Sequence, residues 1–123
     1  MNNGCNRILV ADEAMPWLVD RFQLRGQGVT VDITSKFTDA DKLIANNKPA
    51  LLVVDPHGVN GVDNISELLP GFMLNARANG IRVVVASEYT ESELKDLYNL
   101  MSGSHYDGYY RKPTSLLNMA DYN

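Results

Sequence analysis

The sequence predicts an α/β fold, a parallel sheet of five strands covered by helices on both faces. Three observations carry that prediction. Leu51-Leu52-Val53-Val54 and Ile81-Arg82-Val83-Val84-Val85-Ala86 are near-continuous apolar runs, the pattern of strands buried on both sides rather than one. Between such runs lie segments whose apolar residues recur at helical spacing, so strand and helix alternate along the whole chain. The runs also stop abruptly on polar groups, with Asp55 following Val54 and Ser87 following Ala86.

Each element has its own reason. Arg7-Ile8-Leu9-Val10-Ala11 is a short buried strand ending on Asp12-Glu13. Pro16 suits the first turn of a helix, and Met15, Leu18, Val19 and Phe22 supply its expected buried stripe. Gly26 and Gly28 stop that helix. Val29-Thr30-Val31-Asp32-Ile33 alternates, as a strand with one wetter face does near a sheet edge. Thr38-Asp39-Ala40-Asp41 opens a helix with Leu43 and Ile44 inward, and Asn46-Asn47-Lys48-Pro49 ends it. The Asp55 strand follows, then an aperiodic loop from His57 to Asp63. Asn64-Ile65-Ser66-Glu67 resembles a capping box, and Ile65, Leu68, Leu69, Phe72, Met73 and Ala76 keep helical register. Pro70-Gly71 inside that register predicts a kink or break. Gly80 ends the helix and the Ile81–Ala86 strand begins. Thr90-Glu91-Ser92-Glu93 is a capping box for a helix burying Leu94, Leu97, Tyr98 and Met101. Tyr109-Tyr110-Arg111 is the last strand, closed by Lys112-Pro113, and Thr114 to Tyr122 suits a short final helix. Right-handed crossovers leave few topologies for this order, and the flavodoxin-like one, 2-1-3-4-5, is the natural choice for five strands.

Composition bounds the function. At 123 residues, 45% of them hydrophobic and 21% charged, the chain (residues 1–123) is expected to form a single domain. A net charge of −4 argues against nucleic-acid binding, which needs clustered Lys and Arg. No apolar run approaches the roughly 20 residues that span a bilayer, so no membrane partner is expected. The N-terminus lacks a basic region followed by an apolar one, and the lone Cys5 has no partner for a disulfide or a zinc site, so a cytoplasmic location is expected.

The strand ends carry the chemistry. In a parallel sheet all carboxyl ends point one way, and the order 2-1-3-4-5 sets the strands bearing Asp12 and Asp55 side by side at the switch point. Asp12, Glu13, Asp55, Ser87 and Lys112 then converge in one cleft. Like charges at about 4 Å cost roughly 4 kcal/mol per pair at an effective dielectric near 20, a penalty that a divalent cation removes. Oxygen ligands alone select Mg²⁺ or a similar hard ion. An amine and a hydroxyl beside a carboxylate and a hard metal suit phosphoryl transfer onto Asp55.

On these motifs the chain resembles the receiver domains of two-component response regulators, the CheY-like family. The pieces are Ile8-Leu9-Val10-Ala11-Asp12-Glu13, Leu52-Val53-Val54-Asp55, Val84-Val85-Ala86-Ser87 and Tyr109-Tyr110-Arg111-Lys112-Pro113, in family order from about Arg7 to the end. The resemblance implies that Asp55 is the phosphoacceptor. It makes Glu13 a direct Mg²⁺ ligand, Asp12 a ligand acting through water, and the His57 backbone carbonyl a further ligand. Ser87 becomes the switch hydroxyl, Lys112 the phosphate-binding lysine and Tyr109 the rotating aromatic. The implied partners are a sensor histidine kinase or phosphotransfer protein, and a downstream effector protein or a missing output domain. The signal is expected to leave around the fourth helix, last strand and last helix, and pairing of two copies there would give a homodimer. The family is a signalling switch rather than an enzyme.

The chain departs from the family pattern in three places. Gly58-Val59 replaces the usual Met-Pro after the acceptor, Glu88 stands where a small residue is usual, and bulky His57 and Tyr89 occupy positions that tune dephosphorylation. His57 and Tyr89 imply a long-lived phosphoryl group. Glu88 and the altered loop at Gly58-Val59 keep open a pseudo-receiver, an interaction module that works without phosphorylation. A metal-dependent phosphohydrolase is the remaining rival, but it wants a second acid two residues after Asp55, where His57 stands. Trp17, close to Asp12 in sequence, is expected to pack beside the cleft and to report Mg²⁺ by its fluorescence.

Overall fold

The structure is a computed structural model describing residues 6–120. Its five parallel strands are β1 (Arg7–Ala11), β2 (Thr30–Thr34), β3 (Leu51–Val54), β4 (Arg82–Ser87) and β5 (Gly108–Arg111). The sheet order is β2-β1-β3-β4-β5, as the sequence predicts. One α-helix follows each strand: α1 (Leu18–Arg25), α2 (Phe37–Asn46), α3 (Ile65–Ala78), α4 (Glu91–Tyr98) and α5 (Leu116–Ala120).

Side chains alternate across each strand, and the two faces receive different helices. Leu9, Ala11, Leu52, Val54, Val83 and Val85 pack with residues of α2, α3 and α4, including Ile44, Met73 and Leu94. Ile8, Val10, Leu51, Val53, Val84 and Ala86 pack with Trp17, Leu24, Leu116 and Met119, beside or on α1 and α5. The register places the site. Ala11 pairs with Val54, so Asp12 and Asp55 leave neighbouring strands at the same level. Ser87 pairs with Arg111, which sets Lys112 just beyond it.

Several expectations are corrected. The first helix turns a different face inward. Met15, Val19 and Phe22 are 80%, 69% and 76% exposed, and Leu18 is also exposed, whereas Trp17 and Leu24 are buried. Trp17 ends a 3-10 turn over Met15–Trp17, and the half-buried Asp20 on the same inward side accepts the Leu116 backbone N–H at 2.9 Å. Asn64 makes no side-chain cap, so that capping box does not form, and α3 runs unbroken through Pro70. The carbonyl that Pro70 leaves unpaired belongs to Ser66, which is exposed, while Leu69, Phe72 and Met73 anchor the helix on either side. The α4 stripe stops early. Leu94 is buried but Leu97, still within the helix, is exposed; Asn99, at φ 60°, then ends the helix in the left-handed region, so Leu100 is buried and Met101 exposed. The capping box of Thr90 with Glu93 forms as read. The final helix covers Leu116–Ala120, and Cys5 and the end of the predicted segment at Tyr122 lie outside the described residues.

Candidate functional site

Two carboxylates and one ammonium meet at the carboxyl ends of β1, β3 and β5. Asp12 and Asp55 are buried, at 2% and 7% exposure. Lys112 Nζ donates to Asp55 Oδ2 at 2.5 Å and to Asp12 Oδ2 at 2.6 Å. Burial pulls the Lys112 pKa down, but the hydrogen bonds to Asp12 and Asp55 more than offset this, and the ammonium titrates above its ordinary range. One positive charge thus serves two acids, and the cluster keeps a net negative charge.

The remaining oxygens are held by local backbone. Asp55 Oδ1 accepts the His57 N–H at 3.0 Å, where Pro56–Gly58 forms a 3-10 turn capped by Asp55. Asp12 Oδ1 accepts the Glu13 N–H at 2.7 Å, and Asp12 Oδ2 also accepts the indole Nε1–H of Trp17 at 2.9 Å. Gly58 lies directly over Asp12, where a Cβ would sit 1.9 Å from Oδ1. Only a residue without a side chain lets the turn after Asp55 close on the Asp12 carboxylate.

The other predicted residues surround this cluster. Ser87 is fully buried, and its Oγ accepts the Tyr89 N–H at 3.0 Å, which leaves its own O–H as a donor. The Lys112 N–H donates to the Ser87 carbonyl at 2.9 Å, tying the ends of β4 and β5 together. The Tyr109 hydroxyl donates to the Tyr89 carbonyl, so that aromatic is fastened to the segment following Ser87. Burial raises the Tyr109 pKa, with Arg111 opposing and Glu91 and Glu93 reinforcing. His57 is exposed and meets Tyr89 edge-on, ring centroids 5.4 Å apart at 80°. Glu88 and Glu13 are exposed.

The structure therefore joins Asp12, Asp55 and Lys112 by direct contact, sets Ser87 beside them through the backbone, and leaves the Glu13 side chain at the surface. Among the described residues no group of three or more His, Cys, Asp or Glu side chains is gathered for a metal ion. The oxygen donors nevertheless fit a hard cation by type, because two buried carboxylates share one lysine beside a turn that leaves no side chain over Asp12. Sequence reading placed Trp17 near the cleft but missed its hydrogen bond to Asp12, and it took Gly58 as a turn residue and a departure from the family without its closeness to Asp12. The signal for the first was an indole N–H five residues after a buried acid, since a buried Trp needs an acceptor.

Comparison with solved structures points to one fold. A response regulator from Burkholderia pseudomallei, described with a phosphorylated aspartic acid, a calcium ion and citrate, superposes with a TM-score of 0.69 at 19% identity, over 94% of this chain and 64% of that one. This chain thus spans under two thirds of that neighbour's length. A CheY-like receiver domain from Methanospirillum hungatei JF-1 gives 0.66 at 21% identity, over 94% of this chain and 88% of that one. A response regulator from Thermotoga maritima gives 0.66 at 18% identity, over 95% and 92%. No protein-family model and no curated protein matches the sequence. At these identities the likeness is one of fold, and that fold is the CheY-like receiver fold expected from the strand-end motifs. Among the described residues no helix is long and apolar enough to cross a membrane.

Proposed function

We propose that this chain is a phosphoacceptor domain of a His-Asp relay, with Asp55 as the acceptor. The observation that carries the reading is Lys112 Nζ held between Asp55 and Asp12, at 2.5 and 2.6 Å, at the end of the central strand. A static staple needs one acid for one lysine. Here a second buried acid shares that lysine, and the Ser87 hydroxyl at the end of the neighbouring strand keeps its O–H to donate.

In the proposed step an Asp55 carboxylate oxygen attacks the phosphorus of a phosphohistidine on a sensor histidine kinase or phosphotransfer protein. The P–O bond forms as the P–N bond breaks, and the imidazole leaves with the electron pair. Lys112 turns from Asp55 Oδ2 toward a phosphoryl oxygen, and the Ser87 O–H donates to another. These two charge-assisted bonds, at about 1.5–3 kcal/mol each, approach the roughly 5.5 kcal/mol that moves a two-state equilibrium from 1:99 to 99:1. Because Ser87 Oγ also accepts the Tyr89 N–H, drawing Ser87 inward strains the segment that Tyr109 grips. That segment leads into α4, where an effector would read the change.

Glu13, Asp55 and the His57 carbonyl would hold Mg²⁺, with Asp12 acting through water. The ion supplies charge neutralisation for the incoming anion. The exposed Met15, Val19 and Phe22, starting just past Glu13, give a donor protein an apolar surface beside the mouth. The domain makes one transfer per phosphoryl group and is not an enzyme acting on a free substrate; its proposed setting is the cytoplasm.

The second reading, an interaction module that works without phosphorylation, draws on exposed Glu88 at the cleft mouth and on a lysine already satisfied by two acids. Acetyl phosphate with Mg²⁺, followed by intact mass measurement, separates the two. A single phosphoryl adduct, absent in Asp55→Asn and without Mg²⁺, supports the acceptor. No adduct on the wild-type chain leaves the interaction module.

A further inference from the structure

The first helix is set in an orientation that apolar burial alone does not explain. Turned the other way, it would cover Met15, Val19 and Phe22, all of which it leaves in water. Instead Trp17, the bulkiest fully buried side chain among the described residues, goes inward. Its ring packs with the cluster that holds Leu116 and Met119 of α5, the helix that follows Lys112-Pro113. Its Nε1–H meets Asp12 Oδ2, the oxygen that Lys112 also contacts. Lys112 Nζ stands 5.6 Å from the centre of the indole ring, within reach of its π face. The indole thus touches both partners of one ion pair.

A buried indole needs an acceptor, and a backbone carbonyl would satisfy it. A carboxylate oxygen shared with an ammonium does something further. Asp12 Oδ1 is tied to the Glu13 N–H and covered by Gly58, so the indole bond on Oδ2 completes the fixing of the carboxylate plane. With that plane fixed, Oδ2 points at Lys112 and the ammonium stands over Asp55.

We propose that Trp17 is a positioning residue: through Asp12 it holds Lys112 in place over Asp55, and it senses when Lys112 is drawn away. Its hold on Lys112 is independent of the phosphoacceptor reading, while its bearing on phosphoryl transfer rests on it. Trp17→Phe removes the N–H, which frees the Asp12 carboxylate to rotate, and also trims the buried indole to a smaller phenyl ring, a packing loss that is common to both backgrounds of a mutant cycle. Lys112 then settles on Asp55 alone.

The test has two arms on the full chain. The first is a urea-unfolding cycle without metal, using Trp17→Phe, Lys112→Met and the double variant. The expected result is coupling: Trp17→Phe shifts the unfolding constant at least about 5-fold less when Lys112 is already gone. Equal effects in both backgrounds overturn the proposal. The second arm follows the indole N–H resonance by NMR, which needs no assignment because the chain has one Trp. It is expected to shift in Lys112→Met, and again in the wild-type chain on adding Mg²⁺ and acetyl phosphate. If the Glu13 and His57 amides move while the indole stays still, the sensing role falls and the acceptor reading stands. If no adduct forms, the acceptor reading falls and the unfolding cycle still decides the positioning role. Should Trp17→Phe fail to fold, the Lys112→Met indole shift decides alone, with an unchanged resonance counting against the proposal.

Discussion

The two ends of the sheet each carry an ion pair, and they are built to opposite ends. At the amino end of β4 and β5, Arg77 donates to the carbonyls of Gly103 and Ser104, both at 2.7 Å, and to Asp107 Oδ1 at 2.6 Å. Asp107 Oδ2 takes the Val83 N–H at 2.9 Å. One cation meets one anion, spare lone pairs go to backbone, and both side chains keep nearly a third of their surface in water. At the carboxyl end one cation meets two acids, nearly dry, with a charge left over. The first arrangement closes a loop and is complete. The second leaves one buried acid in excess of its cation, the arrangement that the proposed acceptor site would use and a staple would not need.

Removing the cation at each end separates the two most sharply. Lys112→Met leaves two buried carboxylates facing each other and is expected to cost about 3 kcal/mol, the low end for an orphaned buried charge because Lys112 keeps some solvent contact. Urea unfolding measures it, and Mg²⁺ is expected to restore part of the loss, since a divalent ion takes over the neutralisation. The wild-type pair also has a pH signature. Lys112 is raised in the folded state, so its stabilisation is full below the ordinary lysine pKa of 10.5 and is lost as pH climbs through the higher folded value. Tyr106, lifted by burial and by its hydrogen bond to Glu91, acts with the same sign at alkaline pH. The Lys112 part is therefore the portion of the alkaline decline that Lys112→Met abolishes. A decline identical in both proteins would show the pair to be unimportant to stability.

Gly58→Ala attacks the same end without touching a charge. Its Cβ would lie 1.9 Å from Asp12 Oδ1, so either the carboxylate or the turn must move. Overpacking of this kind costs about 2 kcal/mol. Because the displaced group is Asp12, the variant is expected to lose phosphoryl adduct formation with acetyl phosphate as well as stability. An adduct formed at the wild-type rate would show that Asp12 need not stay where Gly58 lets it sit.

At the other end Arg77→Met is expected to cost about 1 kcal/mol, since a half-wet pair contributes little and water can satisfy the released carbonyls. Adduct formation should be unchanged. A loss comparable to Lys112→Met would erase the contrast between the two ends.

How much of this was legible in the sequence follows from where the information sits. Leu51–Val54 and Val83–Ala86 announce buried parallel strands because both faces must be apolar, and the polar residue that ends each run announces the ligand side. Asp12, Asp55, Ser87 and Lys112 were therefore found by position alone. The inward face of α1 was not, because Met15, Leu18, Val19 and Phe22 outnumber Trp17 and Leu24 in any periodic count. What decides the face is the Trp17 bond to Asp12 and the Asp20 bond to the Leu116 N–H, both made across the fold. Pro70 misled for a similar reason: the break expected from local backbone is overridden by the tertiary anchoring of Leu69, Phe72 and Met73. Gly58 was legible as a turn residue and a departure but not as a contact of Asp12, since the carboxylate that excludes a Cβ comes from a different strand.

The smallest expected effect lies at the cleft mouth and concerns lifetime rather than formation. His57 and Tyr89 meet edge-on above the Asp55 turn, and the Tyr89 carbonyl is held by Tyr109 while the Tyr89 N–H is held by Ser87. If Asp55 is phosphorylated as proposed, two rings in contact, one of them anchored at both backbone ends, are expected to narrow the approach of an attacking water. Tyr89→Ala keeps the backbone hydrogen bonds and removes only the ring. The adduct is then expected to disappear about 3-fold to 10-fold faster, a change of roughly 0.7–1.4 kcal/mol in the barrier, with its rate of formation nearly unchanged. Intact mass sampled over time after removal of acetyl phosphate reads both rates. Unchanged decay would mean that the rings do not screen Asp55, and that water reaches it from another side. The amino end offers no counterpart to this experiment, because its loop covers a pair with nothing left to react.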